Sequence, residues 1–430
     1  MNFNLDKADK QLLADKLKQT FINNKFLQPE KFFEQLQIIL EQFDIHINYI
    51  NNNQNINNIQ NILLIQLDNL EDCILSSAFI RELRNNYQQA QIDIIINSEY
   101  ENYFINCPYI NSIITMNIIN NNDINKIIDF CKNKLWNDKY DLSINLSWDY
   151  NYNSALLSFL SFSEYRLSYR SNEYERYCCD LSYNKELLQR RYYMDQFLYT
   201  HIIDNPYDMY SEKERKLWIL SILNKEIQSN KLEVWYNNED LNYVQQFIKS
   251  NKKNIIIGIG GKDLNSHYPL ELLAEVLNNI KDDNHYIIIG KNNNYEGINR
   301  FINNINNKDF TNLINLLTIN QLSALLSLSD LYIGNFDGVI HLAEALNTPM
   351  ILMLKEAIEV ENDHPGYLSL YHRYKPLNKN VIILRSEYCI DKCIEIPILG
   401  GCCCKHPHCI AEILPEEIVD AYNKIKADFK

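Results

Sequence analysis

Apolar residues recur at spacings of three and four in LLADKLKQTFI and in FFEQLQIILEQF, so residues 5–44 are predicted to form two amphipathic helices. Asn51 to Asn61 is polar and Asn-rich, and reads as a linker. At Ile62 the pattern changes. NILLIQL is a short continuous apolar run, as expected of a parallel strand buried on both faces. AFIRELRNNY then reads as a helix, QIDIIIN as a strand, EYENYFINC as a short helix and SIITM as a strand. INKIIDFCKNKLW follows as a helix and YDLSINLS as a strand. After a stretch of mixed helix and connector, with KLEVWY as a candidate strand, the alternation restarts. NIIIGIG, HYIIIG, LYIGN and MILML are predicted strands, separated by the helices LELLAEVLNNI, YEGINRFINNI, LSALLSLS and GVIHLAEALN.

Strands alternating with helices predict an α/β protein with two doubly wound parallel sheets. The predicted organisation is a helical extension over 1–58, a first domain over 60–205, a connector over 206–251 and a second domain over 252–385. A Cys-rich segment and closing helix occupy 386–430, with Pro415 where a helix can start. Two such domains are expected to face a cleft at the carboxyl ends of their strands, where ligands bind in these folds.

Composition narrows the picture. Hydrophobic residues make up 46% of the 430, enough for a sizeable core. No apolar run is long enough for a spanning helix. The N-terminus is charged from the start and lacks an apolar core segment, so no secretory signal is predicted. A cytoplasmic location is expected, with at most peripheral contact at the inner face of the membrane. The net charge of −14 argues against a broad nucleic-acid face. With only 10 Gly in the chain, each loop glycine is informative.

Three loops could carry chemistry, and each follows a predicted strand. The first, after NILLIQL, holds Asp68, Glu71 and Asp72. A carboxylate there could take a proton from a substrate hydroxyl, or could simply cap the next helix. The second holds Gly258, Gly260 and Gly261, where backbone N–H groups could approach a phosphate, or the chain could merely turn. The third holds Asn335, Asp337 and Gly338, with His341 in the first turn of the next helix. That grouping suits a pyrophosphate, although turn and structural roles are open to it as well.

At these residues the sequence resembles the glycosyltransferase family that contains the lipopolysaccharide heptosyltransferases. ILLIQLDNLEDCILSSAFIRELRNNYQQAQIDIII, CPYINSII and SLSDLYIGNFDGVIHLAEALNTPMILM carry the likeness, in order, over about residues 60 to 425. The resemblance implies a GT-B fold of two Rossmann-like domains, with the sugar acceptor on the first and the nucleotide-sugar donor on the second. It implies inverting transfer with no metal or other cofactor, and it makes Asp72 the catalytic base. The donor would be held by Gly260, Gly261, Lys262, Asn335, Asp337, Gly338 and His341. ADP-heptose is the first donor to consider, and the acceptor is expected to be a saccharide or glycolipid such as lipopolysaccharide.

The chain departs from the family pattern in places. Glu71 stands where the family has Gly, and like charges there are expected to raise one pKa. Phe336, Asp337 and Gly338 stand where the family has Asp-Thr-Gly. Ser266, His267, Tyr268 and Pro269 replace a basic residue before Trp-Pro, leaving Lys262 as the nearby cation. An alternative therefore stands beside the enzyme: a non-catalytic nucleotide- or glycan-binding scaffold on the same fold.

Two further groups stand out. Arg166, Arg170, Arg190 and Arg191, among many Tyr, could meet a phosphorylated or carboxylated acceptor, or could belong to a solvated helical surface. Six of the 11 Cys lie between Cys389 and Cys409. Cys389, Cys393, Cys404 and Cys409 could hold a structural Zn or Fe, with plain buried thiols as the rival reading. The tail His408, Cys409, Ile410 resembles the family's own. The N-terminal helices leave a partner or homo-oligomer surface open.

Overall fold

The computed structural model describes residues 5–23, 29–43, 56, 58–117, 124–147, 151–169, 198–204, 211–260, 267–291, 295–305, 307–359, 369–388 and 408–428. The chain divides into two units. The first comprises Met1–Met209 with Lys213–Asn230, and the second Tyr210–Glu212 with Lys231–Lys430.

The first unit begins with helices α1 (Lys7–Asn23) and α2 (Pro29–Glu41). They bury Leu13, Leu17, Leu36 and Leu40 in one apolar cluster with Ile124, Ile128, Leu156 and Phe159. The sheet strands are β1 (Asn61–Gln66), β2 (Gln91–Asn97), β3 (Ser112–Met116), β4 (Leu142–Asn145), β5 (Tyr165–Tyr169) and β6 (His201–Ile203). The helices among them are α3 (Leu70–Leu75), α4 (Ser77–Asn86), α5 (Glu101–Phe104), α6 (Ile124–Lys134) and α7 (Tyr152–Leu160), and α8 (Glu212–Ile222) follows. All strand pairs are parallel, in the order β3-β2-β1-β4-β5-β6. β1 is central and fully buried from Ile62 to Gln66, which explains its unbroken apolar run.

In the second unit α9 (Asn238–Gln245) leads into β7 (Asn254–Gly258). The remaining strands are β8 (His285–Ile289), β9 (Asp309–Asn312), β10 (Leu331–Asn335), β11 (Met350–Met353) and β12 (Val381–Leu384). Between and after them come α10 (Leu270–Asn279), α11 (Tyr295–Asn304), α12 (Ile319–Ser327), α13 (Val339–Ala345), α14 (Leu370–Tyr374) and α15 (Pro415–Ile425). The order is β12-β11-β10-β7-β8-β9, again all parallel. Renumbered from its own first strand, this is the order of the first sheet. Each sheet therefore reverses its winding beside its first strand, between β1 and β4 and between β7 and β10. Such reversals are where doubly wound sheets open a crevice at the carboxyl ends of their strands.

Some predicted elements differ. KLEVWY at 231–236 lies outside both sheets, without regular structure. β5, β6, β9 and β12 extend the sheets beyond the predicted strands. β6 and β9 are short edge strands with a weak apolar signal, and β12 is an apolar run of only four residues at the opposite edge of its sheet. Residues 213–230, read from the sequence as connector, pack with the first unit. Glu82 accepts from the Gln228 amide at 2.7 Å, and Arg81 donates to the Ser229 carbonyl at 2.8 Å. Arg81 and Glu82 also pair with each other at 2.9 Å.

Candidate active site

Asp72 lies in the first turn of α3, just past the end of β1. The capping role at this helix belongs to Asn69. Its side-chain oxygen accepts from the Asp72 amide at 3.0 Å. The Asp72 carboxylate is therefore not the cap. Its side chain is 11% exposed and lies 3.7 Å from the Lys216 ammonium. That ammonium is wholly buried and donates to the Leu146 carbonyl at 2.9 Å. Asp68, half-buried, accepts from the Gln66 amide at 2.9 Å. Burial raises the Asp68 pKa, while Lys216, Ser147 and Arg215 draw it back down. Burial is the main cause of the raised carboxyl at Asp68 in this loop.

The second unit brings Gly260, Asn335, Asp337, Gly338 and His341 to the carboxyl ends of β7 and β10. Asn335 is buried and works as a staple. Its amide nitrogen donates to the Gly260 carbonyl at 2.7 Å, and its oxygen accepts from the Tyr268 amide at 2.9 Å. Tyr268 in turn donates to the Ile413 carbonyl at 2.8 Å, fixing this loop to the C-terminal segment. Asp337 accepts from the Val339 amide at 3.0 Å, in the turn just before α13, whose N-cap residue is Gly338. His341 is buried, 3.4 Å from Glu344. Gly260 runs close to the next loop; a side chain there would meet the Lys291 amide at 3.1 Å.

Gly258 and Gly334 are paired across β7 and β10, and sequence reading gave neither a packing role. The Tyr332 ring lies against both. A methyl on Gly258 would sit 2.9 Å from the ring carbon Cζ. The Tyr332 hydroxyl is buried and makes no hydrogen bond among the described residues, and burial raises its pKa far above the ordinary phenol value. Tyr332→Phe is therefore expected to stabilise the second unit by about 1 kcal/mol in urea titration, because it removes an unsatisfied buried polar group. A loss of stability would show that the hydroxyl has a partner.

Arg166, expected from the sequence to meet an acceptor, lies inside the first unit. It is fully buried on β5, donating to the Leu198 and Ser163 carbonyls at 2.8 Å each. Its guanidinium is engaged by these carbonyls inside the first unit. Arg170, Arg190 and Arg191 lie outside the described residues, as do Gly261, Lys262, Cys389, Cys393 and Cys404. Cys409 is described and buried, 3.2 Å from the His408 ring. Among the described residues no cluster could hold a metal ion, and no helix is long and apolar enough to cross a membrane.

Two Rossmann-ordered sheets in one chain define the GT-B class of α/β protein. Within that class, the model of glycosyltransferase family 9 (heptosyltransferase) matches residues 131–396, and the chain belongs to this family. Solved structures agree on the fold. A glycosyl transferase family 9 protein from Veillonella parvula shares 16% identity at a TM-score of 0.68, covering 87% of this chain and 98% of its own. The E. coli ADP-heptose lps heptosyltransferase II shares 17% at 0.62, covering 86% and 99%. E. coli heptosyltransferase WaaC with ADP-2-deoxy-2-fluoro heptose shares 11% at 0.57, covering 85% and 99%. No curated protein sequence matches the chain.

Proposed function

We propose that this protein is an inverting glycosyltransferase that moves a heptose or hexose from a nucleotide-sugar donor to a saccharide or glycolipid acceptor. ADP-heptose is the first donor to test, since one structurally similar protein is named for it. The observation that carries the reading is Asp72, a largely buried carboxylate just past the carboxyl end of the central strand, with a buried ammonium beside it. In the proposed reaction an acceptor hydroxyl attacks the anomeric carbon and gives its proton to Asp72. The new carbon–oxygen bond forms as the bond to the diphosphate breaks, and the electron pair leaves with the nucleotide. Backbone N–H groups at Gly260 and Gly338 would steady that charge.

The purified chain would be screened by thermal shift and product analysis against ADP-, UDP- and GDP-sugars with a glycan acceptor. One donor class is expected to raise the melting temperature, by mass action, and to be turned over. If no nucleotide sugar is bound or consumed, the proposal fails. Asp337, whose charge sits at a loop assigned to phosphates, favours the second reading of a binding protein. Tight binding without turnover would select it.

A further inference from the structure

The stretch Glu212 to Lys216 reads EKERK, the composition of a solvated helix surface, yet Lys213, Arg215 and Lys216 are buried. An ammonium taken out of water loses several kcal/mol of hydration unless carbonyls and carboxylates replace it. Lys216 has both. One contact is the Leu146 carbonyl, directly after β4, and the other is Asp72, beyond β1. The side chain thus bridges the two loops that flank the winding reversal of the first sheet.

We infer that Lys216 is a positioning residue that holds the Asp72 carboxylate ionised and fixed in place for proton transfer; this rests on the reading of Asp72 as the base. The loop needs a cation. Asp68 and Asp72 leave the same strand end, and two neighbouring carboxylates share a proton unless a positive charge is built in. The other groups around them fit this balance. Cys73 is buried, and burial together with Asp72 and Asp68 pushes its thiol far up, so it stays neutral. Tyr100, whose phenol bonds the Leu70 backbone, is raised by burial and also stays neutral. Ser147, after β4, carries no charge, and Arg215 on α8 adds a second cation near Asp68. Lys216 combines an ion contact to Asp72 with a hydrogen bond that fixes its own head.

Three substitutions separate charge from architecture. Lys216→Gln keeps an N–H donor for Leu146 and removes the charge. Lys216→Met removes both. Lys216→Arg keeps the charge. The measurement is the pH dependence of kcat/KM for sugar transfer by the full chain, alone and in an Asp72→Asn background. A cation at this distance favours the ionised carboxylate, so its loss moves the acidic limb to higher pH. The expected displacement is about 1–3 pH units for Gln and Met, with the rate recovering at high pH. Lys216→Arg is expected to keep the wild-type limb even if its larger head lowers the rate. In the Asp72→Asn background, Lys216→Gln is expected to cost nothing more. An unmoved limb in Lys216→Gln, with the rate reduced equally at every pH, overturns this role while the base stands. A wild type without transfer, or an Asp72→Asn variant with full activity, overturns the base itself and this role with it.

Discussion

Asp72→Asn is expected to lower the rate of sugar transfer by about 100- to 10,000-fold, the range over which a positioned general base contributes. The substitution is close to isosteric and leaves the local fold alone. Asn69 caps α3 through the backbone amide of residue 72, and that amide survives. Lys216 keeps its bond to Leu146 and its field at Asp68. Donor binding is assigned to the second unit and should be unchanged, so the loss should fall on kcat with little change in donor affinity. Initial rates with a saturating donor, together with a donor titration, would check this. A loss below tenfold would mean that the proton leaves by another route.

Arg166→Met is expected to destabilise the first unit by about 3 kcal/mol or more, and to leave acceptor KM untouched in whatever protein stays folded. Two buried carbonyls, those of Ser163 and Leu198, lose their donor, and each unsatisfied group costs about 1–3 kcal/mol. Burial pushes the guanidinium down to about 9, so it remains charged at neutral pH. Its neighbour His201 is pushed down to about 4, first by burial and then by Arg166. His201 is thus neutral in the folded state. Between its ordinary 6.5 and about 4 the unfolded chain binds the extra proton, so stability should fall as pH drops through that window. Urea titrations from pH 7 to pH 4 would measure both effects. A variant of native stability with a raised acceptor KM would return Arg166 to the acceptor site.

Much of the fold is written in runs such as NILLIQL and NIIIGIG, because a central parallel strand is apolar on both faces. β5 was not readable in the same way. YRLSY has a charged residue, Arg166, at its second position, and only the three-dimensional arrangement shows two carbonyls waiting for it. KLEVWY has the composition of a strand but joins neither sheet. The loop holding Asp72 was legible, since a strand, a polar loop and a helix follow in order. Which residue caps that helix was not, because Asp68, Asn69 and Asp72 are all competent and the choice depends on backbone angles. Lys216 was the least visible. Its sequence context is that of a surface, and its partners come from residues 72 and 146, distant in the chain.

The return of residues 213–230 to the first unit has a practical consequence for anyone dissecting the molecule. Cutting near residue 205, where the strand pattern pauses, would strip the lysine from beside Asp72. It would also strand the Arg81–Glu82 pair without its main-chain partners at 228 and 229. An excised front half should instead end after Asn230, so that it carries its own counter-charges with it.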